Sequence, residues 1–479
     1  MGLRMYDTLT RREHEFEPVR PGEVGLYVCG MTVQDKPHIG HFLPFLTADV
    51  LRRWLEHRGF RVNHVQNFTD IDDKIIARAR QEGTTPEAVA ERNIKSYYEA
   101  ARAMNLLIAS HYPRVTEHIG EIVRLIERLI ERGHAYAAPG GDVYFRVRSF
   151  RDYGKLSGRG VDDMLSGARI EVGEQKEDAL DFALWKAAKP GEPQWPSPWG
   201  NGRPGWHIEC SAMAMKYLGE SLDVHGGGMD LVFPHHENEL AQSEAATGKP
   251  FVRYWAHNGL LYTGGQKMSK SLGNFSLIEE LLQRYGADEL RFFLLSTHFR
   301  SQAEYSEERL REASTAFHRL RDAFVHLAEA RSRAGDNTAL LSEGGAALRD
   351  AARRCREEFD AAMDRDFNTA AALGKVFELV RQLNRFLAGM VPGRDRAVLD
   401  EVTSTCFDLL RHLGFLAAGL PAADAVVAGA PAAVEDLARE RQAARAARDW
   451  GKADVLRQEI LAHGYIVEDR ADGYRLKTK

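Results

Sequence analysis

Cysteine is scarce in this chain of 479 residues: four occur, at positions 29, 210, 355 and 406. They are too few and too scattered for a disulfide framework, which points to a reducing compartment. The N-terminus has no apolar segment of the kind that marks a secretory signal. Tyr6 stands where a myristoylation signal needs Ser or Thr. No apolar run approaches the roughly 20 residues of a membrane span. The Ala-rich stretch after Leu416 comes nearest, and Pro421, Asp424 and Pro431 interrupt it. A strong charge of either sign is also missing: 64 Lys and Arg face 69 Asp and Glu, for a net charge of −5. Bulk charge therefore does not coat nucleic acid or membrane, and any RNA contact must be local. There is no Walker A sequence and no G-x-G-x-x-G, so P-loop and dinucleotide readings lack support. What is present is 44% hydrophobic and 28% charged, the profile of a soluble globular protein. At about 150 residues per domain the length suggests roughly three domains. The expectation is a cytoplasmic, multidomain protein without a membrane partner.

The segment 24–29 (Val-Gly-Leu-Tyr-Val-Cys) has the makeup of a short apolar strand. A loop with Gly30, Asp35 and Pro37 follows, and from His38 the pattern is helical through about Arg58. Residues 61–66 alternate like a second strand, and helical stretches recur at 86–109 and 115–132. Strand, helix and strand at this spacing begin a parallel α/β sheet. The stretch 185–206 holds five of the 17 prolines and four tryptophans. It reads either as a functional loop or as a packed connector. From about 304 to 415 apolar residues recur at three- and four-residue steps, as in Phe377, Val380, Leu383 and Leu387, which predicts a helix bundle. Residues 417–433 read as a flexible linker. The tail reads as a charged helix, Gly464, and short alternating segments.

Two short motifs carry phosphate chemistry. His38-Ile39-Gly40-His41 lies just after the first strand, at a predicted helix start. Helix N-termini offer free N–H groups and partial positive charge to phosphate. The two histidines share a helix face, and Gly40 lets a base or phosphate approach the backbone. By itself the segment reads as well as a helix cap with two ordinary histidines. The second motif is Lys267-Met268-Ser269-Lys270-Ser271, flanked by Gly264, Gly265 and Gly273. Lysine is rare here, 15 against 49 arginines, so two in four positions is a specific choice. Such a loop suits a pyrophosphate leaving group, although a solvated basic loop would look the same. Together, in this order and about 230 residues apart, the two motifs resemble the HIGH and KMSKS signatures of class I aminoacyl-tRNA synthetases. The resemblance implies that His38, Gly40, His41 and Lys270 bind ATP with Mg2+, and that His38, His41, Lys267 and Lys270 serve catalysis, Lys270 steadying the adenylation transition state.

Cys29, Cys210, His235 and Glu239 are candidates for one four-coordinate zinc site. On a helix His235 and Glu239 face the same way, whereas His236 has Leu240 at that spacing, so His235 is the better candidate. Spacing alone leaves open two buried cysteines and an ordinary helix start. Asp70, Asp72 and Asp73 read as a metal-binding acid cluster or as an acidic helix N-terminus. Here the resemblance narrows. Tyr27-Val28-Cys29-Gly30, Asn67 to Lys74, Gly205 to Met213 and Phe233 to Glu239 resemble segments of the cysteinyl-tRNA synthetase family. Membership implies that zinc held by Cys29, Cys210, His235 and Glu239 binds the substrate thiolate. It implies that Gly30, Thr69, Trp206 and Asp230 line the cysteine or adenosine pocket. Zinc prefers thiolate to hydroxyl, so serine would be rejected at the metal, where pocket shape gains little.

The resemblance covers nearly the whole chain. It implies an α/β fold: a Rossmann-type parallel-sheet catalytic domain split between 1–115 and 206–250, with an inserted subdomain at 116–205. A stem-contact region with the KMSKS loop (251–310), an α-helical bundle (311–416), a linker (417–432) and a small mixed C-terminal tRNA-binding module (433–479) follow. The implied partners are L-cysteine, ATP and tRNA-Cys, and the implied state is a monomer. Arg445, Trp450, Asp454 and Asp469 are the expected anticodon contacts, since Arg and Asp bond unpaired base edges and Trp stacks on a splayed base. An amphipathic helix with surface ion pairs would carry the same residues. The chain departs from the family at Gln34, where Tyr is expected before Asp35, and at Phe42-Leu43, where Ala-Arg is common. A related ligase that joins cysteine to an amino-sugar shares the zinc and ATP motifs but lacks such a tail. A decayed RNA-binding homologue would not retain His38, His41, Lys267, Lys270 and all four zinc candidates. Cys355 and Cys406 sit in helical patterns and read as small core residues.

Overall fold

In the computed structural model, residues 2–161, 175–268, 275–334, 341–420, 431–470 and 473–478 are described. The chain divides into two compact units. The larger takes Met1–His318, Ala351–Leu379 and Thr405–Ala417, and the smaller takes Arg319–Asp350, Val380–Ser404 and Ala418–Lys479.

In the larger unit a hairpin, β1 (Arg4–Asp7) and β2 (Arg12–Glu15), precedes β3 (Glu23–Val28), α1 (Ile39–His57) and β4 (Arg61–Gln66). Helices α2 (Asp73–Glu82), α3 (Pro86–Ala103) and α4 (Ile119–Glu131) follow. Four short strands, β5 (Ala135–Ala137), β6 (Val143–Phe145), β7 (Phe182–Ala187) and β8 (Gly202–Pro204), form an antiparallel sheet in the stretch expected to be inserted. The chain then continues through α5 (Trp206–Leu218), β9 (Leu222–Gly228), α6 (Glu237–Thr247) and β10 (Val252–Asn258).

Strands β10, β9, β3 and β4 form one parallel sheet in that order. Every residue of β9 is buried, as expected of a central parallel strand covered on both faces. The sheet continues through β10 to Asn258, past the boundary expected at 250. The chain leaves β3 through α1 toward β4, then returns on the other side of β3 as β9. The strand order therefore reverses between β3 and β9, and the segments following them open apart at their carboxyl ends. Helix α1 buries Phe42, Phe45, Leu46, Trp54 and Leu55 against this unit.

The proline- and tryptophan-rich stretch is the connection between β7 and β8. Trp195 bridges to Gly202 and Trp185 is fully buried. A Cβ at Gly202 would lie 2.3 Å from the Trp185 ring nitrogen, so the closeness of indole and backbone dictates glycine there. Part of this stretch therefore packs as a connector, while its last residue, Trp206, begins the next helix.

Arg291, wholly buried, ties distant parts of the larger unit together. It donates to Asp49 on α1 at 2.6 Å, to the Met104 carbonyl at 2.8 Å and to the Leu413 carbonyl at 2.7 Å. Gly414, with φ +76°, leaves room for the guanidinium that a Cβ would strike.

The four long helices span Glu307–Arg333, Glu343–Met363, Thr369–Ala388 and Arg396–His412. They are shared between the two units and do not form one module of their own. In the smaller unit Arg331 pairs with Asp400 at 2.6 Å, and Asp395 accepts from the Ser342 amide and hydroxyl at 2.7 Å. Its tail contains two helices, Ala432–Ala446 and Trp450–Ala462, where the sequence suggested one. The break falls at Arg448, with φ 62°, and Asp449 starts the second helix by accepting from the Lys452 amide at 3.1 Å. Gly464, with φ +81°, turns the chain into an antiparallel hairpin of Tyr465–Arg470 and Gly473–Thr478. Val434, Ala438, Ile460, Val467 and Leu476 form its small core. Among the described residues no helix is long and apolar enough to cross a membrane.

Replacing Arg291 by Met would strip the buried Asp49 carboxylate of one of its two arginine partners, leaving Arg53 at 3.0 Å and the Leu107 amide at 2.8 Å. Removing one partner of such a pair typically costs about 3–5 kcal/mol. The R291M protein is therefore expected to unfold at clearly lower urea concentration than the parent, with a smaller loss in the double variant D49N/R291M. Equilibrium urea denaturation followed by circular dichroism checks both.

Candidate active site and metal centre

The reversal of strand order gathers side chains from three segments at one edge of the sheet. Cys29 follows β3, Cys210 lies on α5, His235 precedes α6, and Glu239 lies in its first turn. All four are buried. The Cys29 and Cys210 sulfurs are 3.7 Å apart, Cys29 Sγ is 3.4 Å from Glu239 Oε1, and His235 Nε2 is 3.0 Å from the same oxygen. Donors around a tetrahedral zinc, at bond lengths of about 2.0–2.3 Å, stand roughly 3.3–3.8 Å from one another. Two sulfurs, an imidazole and a carboxylate at these separations fit such an ion.

A second group shares two of these residues: Cys29, His225, His236 and Glu239. His236 Nε2 lies 3.4 Å from Cys29 Sγ, and His236 Nδ1 lies 2.7 Å from His257 Nε2. His225 Nε2 meets the other Glu239 oxygen at 2.9 Å. The helical-spacing argument that set His236 aside is thus too narrow, because it turns toward Cys29 from one residue further along. His225 on β9 and His257 on β10 went unnoticed in the sequence. Only the register of parallel strands, His225 beside Trp255 and His257 beside Gly227, brings them here.

Electrostatics follow from burial and these neighbours. Burial pushes the Cys29 thiol well up. The hydrogen bond from Cys29 is the largest influence on Cys210 and brings its thiol down to about 6. Burial works against a charged His235, yet Glu239 and Cys210 outweigh it and raise the imidazole to about 10. Burial likewise opposes a charged Glu239, but His225 and His235 hold its carboxyl well below the usual range. Burial keeps His236 and His257 far below the usual imidazole range. The pocket thus stores a negative carboxylate and a readily ionised thiol around a protonated His235, whose proton a metal ion would have to displace.

The other predicted pocket and phosphate-motif residues each have their own setting. Trp206, the first residue of α5 and 39% exposed, stacks on His235 with ring centroids 4.3 Å apart. His207 Nδ1 meets His235 Nδ1 at 2.9 Å. The Gly30 amide donates to Asn67 Oδ1 at 2.9 Å, and a Cβ on Gly30 would fall 1.6 Å from the Asn67 carbonyl oxygen. Buried Thr69 donates to Glu209 Oε2 at 3.2 Å, and burial raises that carboxyl well above its ordinary value. Asp230, just beyond β9, accepts from Lys267 Nζ at 2.7 Å. His38 and His41 stack at 3.6 Å at the start of α1. The Ile39 amide bonds the Ser276 carbonyl at 3.1 Å and the Ile278 amide bonds the Pro37 carbonyl at 3.2 Å. The first phosphate motif is thereby tied to the chain that follows the second. Lys270 lies outside the described residues.

The acid cluster divides into structural roles. Asp70 accepts from Thr116, Asp72 caps α2 through the Lys74 amide, and Asp73 pairs with Lys186 and Arg203.

Comparison with known proteins decides the family. Residues 15–315 match the sequence model for "tRNA synthetases class I (C) catalytic domain", 358–417 match "DALR domain", and 428–475 match "Cysteinyl-tRNA ligase anticodon binding domain". The cysteine-tRNA ligase of Geobacter metallireducens is 50% identical over the full length of both chains. That of Nitratidesulfovibrio vulgaris is 50% identical over 98% of this chain and 99% of its own. The chain belongs to the cysteine-tRNA ligase family. The fold is that of class I synthetases: a methionyl-tRNA synthetase from Mycobacterium tuberculosis, 17% identical, superimposes with a TM-score of 0.62 over 82% of this chain and 90% of its own.

Within the anticodon-binding match of this cysteine-tRNA ligase family member, the four expected residues differ in setting. Trp450 is 56% exposed, with the Arg445 guanidinium 5.5 Å from its ring centre. Asp454 is exposed on the second tail helix. Asp469 is held by Arg445 at 3.2 Å and by buried Arg441 at 2.6 Å. Arg441 went unnoticed in the sequence because its charge looked like one of many on a solvated helix.

A methyl group at Gly30 has no room against the Asn67 carbonyl. G30A should therefore lower stability by about 1–3 kcal/mol, the usual cost of overpacking. It should also raise the KM for cysteine, because the segment carrying Cys29 must shift. Thermal denaturation and initial-rate kinetics check the two effects.

Proposed function

We propose that this chain activates L-cysteine with ATP and transfers the cysteinyl group to the 3′ end of tRNA-Cys. The observation that carries the reading is the buried Cys29, Cys210, His235 and Glu239 set at the sheet's point of reversal, on the same edge as the His38–His41 helix start. In the first step the cysteine carboxylate attacks the α-phosphorus of ATP, forming cysteinyl-adenylate and releasing pyrophosphate. In the second a terminal ribose hydroxyl of the tRNA attacks the carbonyl carbon, and AMP leaves.

Cys29, Cys210, His235 and Glu239 hold the zinc ion. When bound, zinc takes the substrate sulfur as a thiolate and so discriminates against the hydroxyl of serine. Two features favour this set over the group containing His225 and His236. It contributes both thiols, and His235 lies against half-exposed Trp206, where a substrate has access. His236 instead packs among buried His257 and Trp255. Gly30 and Thr69 shape the cysteine end of the pocket, Trp206 forms its wall, and Asp230 receives a polar group of cysteine or adenosine. His38, Gly40 and His41 accept the ATP phosphates, with Mg2+ as counter-ion, at the positive end of α1. Lys267 and Lys270 steady the negative charge that grows on the leaving pyrophosphate. Arg445, Trp450, Asp454 and Asp469 take the anticodon, Trp450 by stacking.

The test is attachment of each of the twenty amino acids, radiolabelled, to unfractionated tRNA with ATP and magnesium. Charging by cysteine alone is the expected result, and charging by another amino acid would refute the zinc assignment. In the C29S variant zinc content should fall well below one per chain, and cysteine-dependent ATP–pyrophosphate exchange should drop at least about 100-fold. A zinc-free C29S protein with full exchange activity would sink the metal reading.

A further inference from the structure

The turn that carries two of the candidate ligands does not fix itself. His235 lies in the segment Val232–His236, an irregular turn in which Phe233 is extended (φ −139°, ψ 131°), and no side chain caps α6 after it. Trp206 and His207 brace the His235 ring, but not the backbone that carries it. Glu237, two residues on, is fully buried and has no part in the account above.

The Glu237 carboxylate reaches across to the loop that follows Phe150, in the stretch expected to be inserted. Oε1 accepts from the Gly154 amide at 2.9 Å and from the Leu156 amide at 3.4 Å, and Oε2 accepts from the Ser157 amide at 2.7 Å. Gly154, with φ +96°, turns the chain so that these amides converge on one anion. The same loop grips the metal-bearing segment on either side of Glu237. The Tyr153 hydroxyl donates to Asn238 Oδ1, Lys155 pairs with Glu244 at 2.5 Å, and the Arg159 guanidinium lies 4.6 Å from the centre of the Phe233 ring. These contacts bracket His235 and Glu239.

Burying a carboxylate is costly unless hydrogen bonds replace its water. Apolar packing, such as buried Leu156 supplies, would hold the loop down without that cost. It would not fix register. Three bonds directed at one carboxylate set both position and orientation.

We propose that Glu237 is a positioning residue of the metal centre: by holding the amides of residues 154, 156 and 157, it fixes the turn that presents His235 and Glu239 to the metal. The inference rests on those two residues being ligands, as argued under the proposed function. It makes the inserted stretch part of the metal centre, although that stretch contributes no ligand.

The E237Q variant keeps the shape but turns one oxygen into an NH2 group, which faces a backbone N–H and cannot accept from it. Zinc transfer to a chromophoric chelator should be about 10-fold faster from E237Q than from the parent. In ATP–pyrophosphate exchange the KM for cysteine should rise about 10-fold, while the KM for ATP stays within about twofold. Zinc should also stabilise E237Q against urea less than it stabilises the parent. Y153F loosens the same loop from Asn238 without touching the turn, and should show the same pattern at smaller size. In the double variant the two effects on zinc release should not add, because both undo one clasp. Equal loss of stability with and without zinc, with zinc release and the KM for cysteine unchanged, would assign Glu237 to folding alone and overturn the proposal. Should E237Q fail to fold, Y153F carries the test, and unchanged zinc release and KM for cysteine in that variant overturn the proposal. A parent that binds no zinc removes the ligand assignment and the Glu237 role with it. A parent that holds zinc and an E237Q protein that matches it in every readout exclude Glu237 alone.

Discussion

The reversal of strand order between β3 and β9 is the constraint on which the rest of the molecule depends. A parallel sheet sends every following segment out at the same edge. Where the order reverses, two neighbouring segments turn apart and leave a crevice that no side chain of the sheet fills. Here that crevice receives Cys29 and Gly30 from β3 and Met229 and Asp230 from β9, with Asn67 from β4 alongside. Helix α1 starts at the same edge, so the His38–His41 helix end and a soft ligand set come together. The buried Arg291 network, through Asp49 on α1, anchors that helix to segments far away in the chain.

The centre is dominated by buried polar groups that compensate one another. Glu239 is wholly buried, yet its two oxygens are taken by His225 on one side and by His235 and Cys29 on the other. Such an arrangement is costly unless every partner is in place. The same pocket concentrates thiols with different proton affinities, Cys29 held high and Cys210 held low. A cation that replaces the protons satisfies most of these groups at once.

Some of this was legible in the sequence because it depends on short-range chemistry. The apolar run before Cys29, the histidine pair at a helix start and the lysine pair in a glycine-flanked loop each lie within a few residues. His235 and Glu239 share a helix turn and could be paired by spacing. The two tail helices were merged because the break at Arg448 rests on a left-handed residue other than glycine, which leaves little mark in a pattern of charges. The acid run 70–73 was ambiguous for a related reason. Its members turn to Thr116, to the Lys74 amide, and to Lys186 and Arg203, partners mostly far off in sequence.

The sequence by itself therefore determined the class of chemistry on offer: which residues can serve as soft ligands, which can hold phosphate, and where the first strands and helices of the sheet lie. Those properties belong to single residues and to the periods of local structure. Only the tertiary structure decided which histidines reach Glu239 and which carboxylates serve as structural ion pairs. Those outcomes depend on strand register and on burial. A shift of one residue in the pairing of β3, β9 and β10 would turn His225, Tyr27 and His257 to the other face of the sheet.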